Sequence, residues 1–310
     1  MAKYVLKRLA MAIATIWAVI TVTFILMHSV PGDPFANDTK KIPEAVYQNL
    51  LKEYGLDKPY SQQYMMYLKN IARFNFGKSM KSNTETVNQM IARGFPVSAT
   101  LGLQAIFMAL ILGPALGAIA ALYQNKTPDY IAMIISIIGV SVPSFVMGSF
   151  LIQFIAKNVE WIPIGGWGEW RHTLLPSFAL AFMPLAQFAR LMRSSMLEVL
   201  GQDYIKTAKS KGISKAAVIM KHAVRNAILP IVSILGTTIS NLVAGSFVIE
   251  KIFGIPGLGM FFTTSVFNRD YTLIMGVTVF YAIVLVAMML SVDIAYTLID
   301  PRIRLTKEGR

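Results

Sequence analysis

Gly77-Lys78-Ser79 is the triplet of this 310-residue sequence that comes nearest to phosphate chemistry. A phosphate-binding loop needs another glycine five residues earlier and an apolar strand before it, so that backbone amides can cradle the phosphate at a helix start. Ala72 stands at that place, and no apolar strand precedes it. The chain is therefore expected to hydrolyse no ATP itself. His28, His172 and His222 share no helical ligand spacing, so metal ligation has no support. There is no cysteine, which removes disulfides, thiol catalysis and cysteine-ligated metals. No nucleophile has a convincing base beside it. No catalytic residue, bound cofactor or metal is expected.

The stretch with the strongest pattern is residues 203–230, DYIKTAKSKGISKAAVIMKHAVRNAILP. Asp203 and Tyr204 open a short helix. Gly212 ends it, because glycine takes the left-handed conformation after a helix at no steric cost. Ile213 follows, Ser214 is the expected N-cap of a second helix, and Pro230 lies where that helix meets the next apolar span. From Arg190 to Arg225 there are eight basic residues against Glu198 and Asp203. Tyr204, Ile205, Ala208 and Ile213 supply an apolar side. A short helix with an apolar knob and a basic rim suits docking in a partner's groove. The plainer reading is a solvated cytoplasmic loop that obeys the positive-inside rule.

These residues must be held by a largely apolar chain. It is 55% hydrophobic with a net charge of +13. That balance indicates an integral membrane protein. The basic residues cluster at the ends of apolar runs, where headgroups and topology account for them without nucleic acid. Residues 9–27 carry no charge and follow Lys3, Lys7 and Arg8, which predicts a first membrane span rather than a cleaved signal peptide. Residues 31–95 are polar, begin with the turn Pro31-Gly32-Asp33-Pro34, and show helical periodicity at 47–56 and 61–74. Further spans are expected over 94–125, over 130–156 with Pro143 midway, from about 174 to 188, over 226–249 and over 271–292.

Gly113 and Gly117 form a G-x-x-x-G pattern whose ordinary meaning is close packing. Gly236, Ser240 and Ala244 give the fifth span a small face. Trp161, Trp167 and Trp170 fit an interfacial belt better than a binding platform. The segment EKIFGIPGLG, residues 250–259, is too rich in glycine and proline for a regular helix and is expected to return into the outer face of the bundle. Glu198, Glu250 and Asp293 sit at span ends, so the ionisable coupling residue of a proton- or sodium-driven carrier is missing from the span centres.

The 203–230 stretch resembles the EAA loop of ABC-importer permeases, whose short helix docks on the ATPase. The EAA triplet falls on Lys206, Thr207 and Ala208, with Gly212 following, and only Ala208 and Gly212 fit the general pattern. The form YIKTAKSKGIS…KHAVRNAILP is instead very similar to the peptide-permease branch, which holds oligopeptide, dipeptide and nickel importers. FNFGKSM (74–80), FGIPGLG (253–259), the PGDP turn and the Asp300-Pro301-Arg302 end are similar to that branch as well. The resemblance implies an all-α integral membrane protein of six transmembrane helices. An extracytoplasmic insertion follows the first, and a cytoplasmic coupling-helix loop lies between the fourth and fifth. The expected divisions are 1–30, the first span; 31–95, the extracytoplasmic subdomain; and 96–310, a five-helix core with the coupling loop at 198–225.

It further implies an ATP-driven importer of oligopeptides or dipeptides in the bacterial cytoplasmic membrane. Nickel or another small solute is the alternative cargo, and a stand-alone carrier or channel the alternative class. Partners would be a second, homologous permease subunit, two ATP-binding subunits that use ATP and Mg, an extracytoplasmic peptide-binding protein and membrane lipid. Tyr204, Thr207, Ala208, Lys209, Lys211, Gly212, Ile213 and Ser214 would form the ATPase-coupling site. Phe253, Gly254, Pro256, Gly257, Leu258 and Gly259 would form the outer re-entrant loop. Placing both termini in the cytoplasm leaves sixteen basic residues in the inner loops and tails and four in the short outer loops. The other nine lie in 31–95, and long segments translocate largely regardless of charge.

Overall fold

The computed structural model describes residues 2–30, 35, 43–82, 84–243 and 247–299, with side chains for all of these except 2–5 and 293–299. The expected turn at 31–34, Ala244 and the 300–302 end lie outside the described residues, as does the side chain of Asp293. In chain order the helices are α1 (Ala2–Ser29), α2 (Glu44–Tyr54), α3 (Tyr60–Ala72), α4 (Val87–Leu122), α5 (Thr127–Ser141), α6 (Ser144–Leu151, continued by a π-helical turn Ile152–Ala156) and α7 (Arg171–Leu200). Then come α8 (Asp203–Ser210), α9 (Lys215–Ala227, π-helical over Val218–Val224), α10 (Leu229–Val243), α11 (Phe247–Ile252), α12 (Leu258–Asn268) and α13 (Tyr271–Ile299). Among the described residues no strand forms beyond one isolated bridge between Lys78 and Thr86.

Among the described residues, four helices are long and apolar enough to cross a bilayer: Leu6–Ser29, Val87–Leu122, Arg171–Leu200 and Tyr271–Val292. Two bent pairs bring the number up to six if each pair is one span. The run expected as a kinked span over 130–156 is broken into α5 and α6, which turn by 112°. The reason is local. Val142 precedes Pro143 and takes φ −91°, ψ 119°, the extended backbone that a following proline imposes. Pro143 then opens α6. The second pair, α9 and α10, bends by 50°. By contrast, Pro176 and Pro184 stay inside one continuous α7.

The chain forms two compact units, Met1–Pro96 with Gly257–Arg310, and Val97–Pro256. In the first, α1 packs along α13 and α12 against α13. The polar helix α3 is pinned to α1 by Thr21 Oγ1 and the Tyr64 hydroxyl at 2.7 Å, and by His28 Nε2 and Gln63 Oε1 at 2.9 Å. Asp270, 2% exposed, caps α13 by accepting from the Leu273 amide at 3.0 Å. The same carboxylate accepts from the Ser79 hydroxyl and from the Met80 amide at 3.1 Å. The GKS triplet therefore has a structural use: Gly77 turns at φ +87°, and buried Ser79 ties the 74–80 segment to the start of α13.

The second unit is organised on α7, against which α5, α6, α10 and α11 pack. Its core holds Leu101, Leu151, Phe188, Met192, Met196, Ile231, Ile249 and Phe253. Close approach depends on glycine. A Cβ at Gly102 would lie 2.4 Å from the Leu242 carbonyl oxygen, and one at Gly117 would lie 2.2 Å from that of Ala189. The G-x-x-x-G pattern is thus a packing device within this chain, with Gly113 against Leu185 and Phe188.

Candidate functional site

The α8 region has the local geometry its sequence dictates. Gly201 ends α7, and Gln202 is extended. Asp203 begins α8, where its charge complements the helix N-terminus, and Lys206 Nζ reaches Asp203 Oδ1 at 2.8 Å. After Ser210, Gly212 takes φ +73°. Its amide donates to the Lys209 carbonyl at 3.0 Å, and that of Ile213 to Ala208 at 3.3 Å. These bonds use the carbonyls a helix C-terminus leaves open. Ser214 Oγ accepts from the Ala217 amide at 3.4 Å, so α9 is N-capped as its sequence predicts.

The two sides of α8 differ. Ile205 is fully buried and Ala208 6% exposed, both in the core of their own unit. Ala208, expected at the contact surface, therefore seats the helix on this chain instead. The outward side carries Tyr204 at 42% exposure, Thr207, Lys209, Lys211, Gly212, Ile213 and Ser214. The apolar side expected as one surface is split in this way. Tyr204 has a second tie, since the Asn226 side-chain amide donates to its hydroxyl at 3.1 Å. Asn226 also donates to the His222 carbonyl at 2.9 Å. It thus links α8 to the end of α9, just before α10, a role its sequence does not announce.

In the 250–259 segment the expectation of an irregular loop needs correction. Glu250, Lys251 and Ile252 complete α11, and Leu258 and Gly259 begin α12, which runs on to Asn268. Only the short turn between is irregular. Within the second unit, Phe253 is 1% exposed, Gly254 takes φ +60°, Pro256 is exposed, and Glu250 is fully buried. The Phe253 carbonyl accepts from the Gly166 amide at 2.8 Å, and a Cβ at Gly165 would sit 2.4 Å from that oxygen. The glycines of the tryptophan-rich segment are therefore needed for backbone contact with Phe253. Within the first unit, Gly257, Leu258 and Gly259 are buried, with Gly94 close to the Leu258 amide.

Two ionic features were not found from the sequence. Asp129 in the first turn of α5 is 2% exposed and receives the guanidinium of Arg193 on α7. Only the helix-start pattern Thr127-Pro128-Asp129 hinted that this carboxylate had a fixed place. Glu250, read at a span end, lies instead in the interior of its unit.

Residues 113–305 match the family described as binding-protein-dependent transport system inner membrane component, and residues 1–104 match its N-terminal companion. The dipeptide transport system permease protein DppB of Bacillus subtilis (strain 168) is 50% identical over 309 residues, covering 100% of both chains. The oligopeptide transport system permease protein OppB of Haemophilus influenzae is 42% identical, covering 98% of this chain and 100% of that one. OppB of Escherichia coli (strain K12) is 40% identical at the same coverage. Among solved structures, an inward-facing MetNI methionine ABC transporter shares the fold at TM-score 0.57 and 17% identity, covering 68% of this chain and 97% of that one.

Proposed function

We propose that this chain, which belongs to the family of binding-protein-dependent transport system inner membrane components, is the permease subunit of an ABC importer of dipeptides or oligopeptides. The observation that carries the reading is the full-length identity to dipeptide and oligopeptide permeases, 50% in one relative. The dipeptide and oligopeptide permeases named above do not favour nickel import or a stand-alone carrier. ATP hydrolysis belongs to partner subunits, and peptide capture to a binding protein. The complete assembly is read as two ATP-binding subunits with Mg and ATP, this permease and a second, homologous one. Six spans are counted by taking each bent pair as one. Both termini lie in the cytoplasm, residues 31–95 outside, and the loop 198–225 inside.

In this mechanism α8 is the coupling helix. Tyr204, Thr207, Lys209, Lys211, Gly212, Ile213 and Ser214 face the ATPase, and Ile205 and Ala208 transmit its displacement into the core. ATP closes the partner ATPases, their grooves carry α8, and the spans rock between two discrete states. The outer segment Phe253, Gly254, Pro256, Gly257, Leu258 and Gly259 is read as part of the outer closure. The test is a mild-detergent pull-down from native membranes, with ATP hydrolysis assayed with and without peptide-loaded binding protein. Co-purified ATPases whose peptide-stimulated activity is lost in Lys209→Glu or Gly212→Pro are expected. A chain that purifies alone and moves peptide without ATP overturns the reading.

A further inference from the structure

α7 and α10 each carry an exposed row of polar side chains. Between its polar ends, Thr127 and Ser141, α5 exposes Tyr130, Ile131, Ile134, Ile137 and Ile138, and on α4 the exposed side chains include Leu103, Phe107, Ile111 and Ile119. Such faces suit lipid. On α10 the exposed positions include Ser233, Thr237 and Asn241, spaced by four and so on one face of the helix. On α7, Arg190 and Ser194 are exposed and Gln187 is partly so, again on one face. Gln187, Arg190 and Leu191 line a groove of about 410 Å³ with Ile234 of α10. The α7 stripe therefore borders a groove whose α10 wall is Ile234, which lies next to Ser233 in sequence. α7 is also the least apolar of the four long helices.

Polar groups at membrane depth are costly against hydrocarbon and are placed toward water or protein. Ser233 and Thr237 donate their hydroxyl hydrogens to their own helix, to the carbonyls of Leu229 at 3.1 Å and Ile234 at 2.9 Å. Their oxygens remain able to accept from an outside donor. Asn241 can both donate and accept. Ser, Thr and Asn also hydrogen-bond neighbouring membrane helices, and it is the open groove beside Gln187 and Arg190 that points to water and cargo here. The small positions of α10, Gly236 and Ser240, are buried toward this chain's own core. The outward face offers hydrogen-bonding groups at Ser233, Thr237 and Asn241.

We propose that the face formed by Gln187, Arg190 and Ser194 of α7 with Ser233, Thr237 and Asn241 of α10 lines the water-filled path and holds the main chain of the peptide in transit, with Arg190 receiving its terminal carboxylate. This rests on the peptide-import reading above. Amide, hydroxyl and carboxamide groups recognise the repeating peptide unit and ignore side chains, so such a lining carries diverse cargo. A guanidinium offers two parallel donors that match a carboxylate.

The native sequence of this chain has no cysteine, so each variant adds the single thiol of this subunit, and the unsubstituted transporter sets the background from its partners. Gln187→Cys, Ser233→Cys, Thr237→Cys and Asn241→Cys are introduced one at a time into the complete transporter in proteoliposomes, with Phe107→Cys and Ile134→Cys as lipid-facing controls. A membrane-impermeant thiosulfonate reacts with thiolate, which forms in water and not in hydrocarbon. Labelling at the four path positions, none at the controls, and slowing by trialanine are expected. Half-protection should need about tenfold more trialanine amide than trialanine, a gap that closes when Arg190→Gln is added. Path positions as silent as the controls, whether buried by a second permease or by lipid, overturn the proposal. So does labelling that trialanine leaves unchanged. ATP-dependent trialanine uptake by the unsubstituted transporter in matching vesicles is a separate readout: its absence refutes the import reading, whereas uptake with silent path positions refutes only the lining.

Discussion

Asp129 and Arg193, 64 residues apart, meet in a two-point ion pair, with Nε 2.5 Å from Oδ1 and Nη2 2.7 Å from Oδ2. The carboxylate also accepts from the Asn125 amide at 3.0 Å. The pair fastens the first turn of α5 to α7, eight residues before Gly201, which leads into α8. Its aspartate side chain is 3% exposed and its arginine 25%.

Removing one partner of that pair should cost more than replacing both. Arg193→Ala leaves a buried carboxylate without its cation, and about 3 kcal/mol of stability should go. Asp129→Leu with Arg193→Met should recover most of it, because an apolar pair of similar volume needs no desolvation. The thermal midpoint of the detergent-purified transporter reads both; an unchanged midpoint in Arg193→Ala would show that the pair holds nothing.

At Gly212 the penalty is in the backbone alone. The residue sits at φ +73°, and no atom lies within 4 Å of where a Cβ would be. Gly212→Ala should cost about 1 kcal/mol locally, and β-branched Gly212→Val more. The expected order of peptide-stimulated ATP hydrolysis is glycine, alanine, valine, with the subunits still co-purifying in all three. Equal activity across the series would refute the role given to this bend.

Gly117 presents the opposite case. Its Cβ would overlap the Ala189 carbonyl oxygen at 2.2 Å, and backbone cannot move aside as a side chain can. Gly117→Ala should therefore lose about 2 kcal/mol or fail to assemble. Gly168→Ala, in open space at φ +136°, should be the milder change. Comparable yields of folded protein from both variants would contradict this account.

Tyr67 should make the helices α2 and α3 sensitive to alkali. Its hydroxyl is buried with no hydrogen-bond partner among the described residues, and burial pushes its pKa well above the ordinary tyrosine value. Burial, then the Glu53 and Asp270 carboxylates, raise Tyr54 in the same direction. A raised folded-state pKa means that the unfolded chain gives up its proton first as pH rises. Stability is then complete below about pH 10 and falls above it. Tyr67→Phe should flatten part of that fall, and at pH 7 it should stabilise by about 1 kcal/mol, since an unsatisfied buried hydroxyl is removed. Thermal midpoints from pH 8 to 11 check both statements; the same slope in the variant would sink them.

Much of this was legible from residue order. Apolar runs located the long helices, because twenty or so apolar residues have few other uses. Gly212 and Ser214 announced their own backbone roles, since a left-handed C-cap and an N-cap are set by single residue types. The failures share one cause, which is that hydropathy reports composition and not direction. It could not say that Ala208 turns inward while Tyr204 turns outward, nor that Asp129 finds Arg193. Pro143 suggested a kink, but the 112° turn also needs Val142 held extended. The glycines of FGIPGLG obscured α12, whose start at Leu258 is uncapped by any side chain.

The glycine contacts of α4 have a mechanical consequence. At Gly113 and Gly117 it lies backbone to backbone with α7, and at Gly102 with α10. Three such points on one rod leave no slack for it to swivel or slide against either neighbour. Whatever displacement α8 delivers, α4, α7 and α10 must travel as a single strut, and the bending has to occur at joints elsewhere, such as the turn at Pro143 and the 50° corner between α9 and α10. A covalent bridge between α4 and α7 should accordingly leave turnover intact.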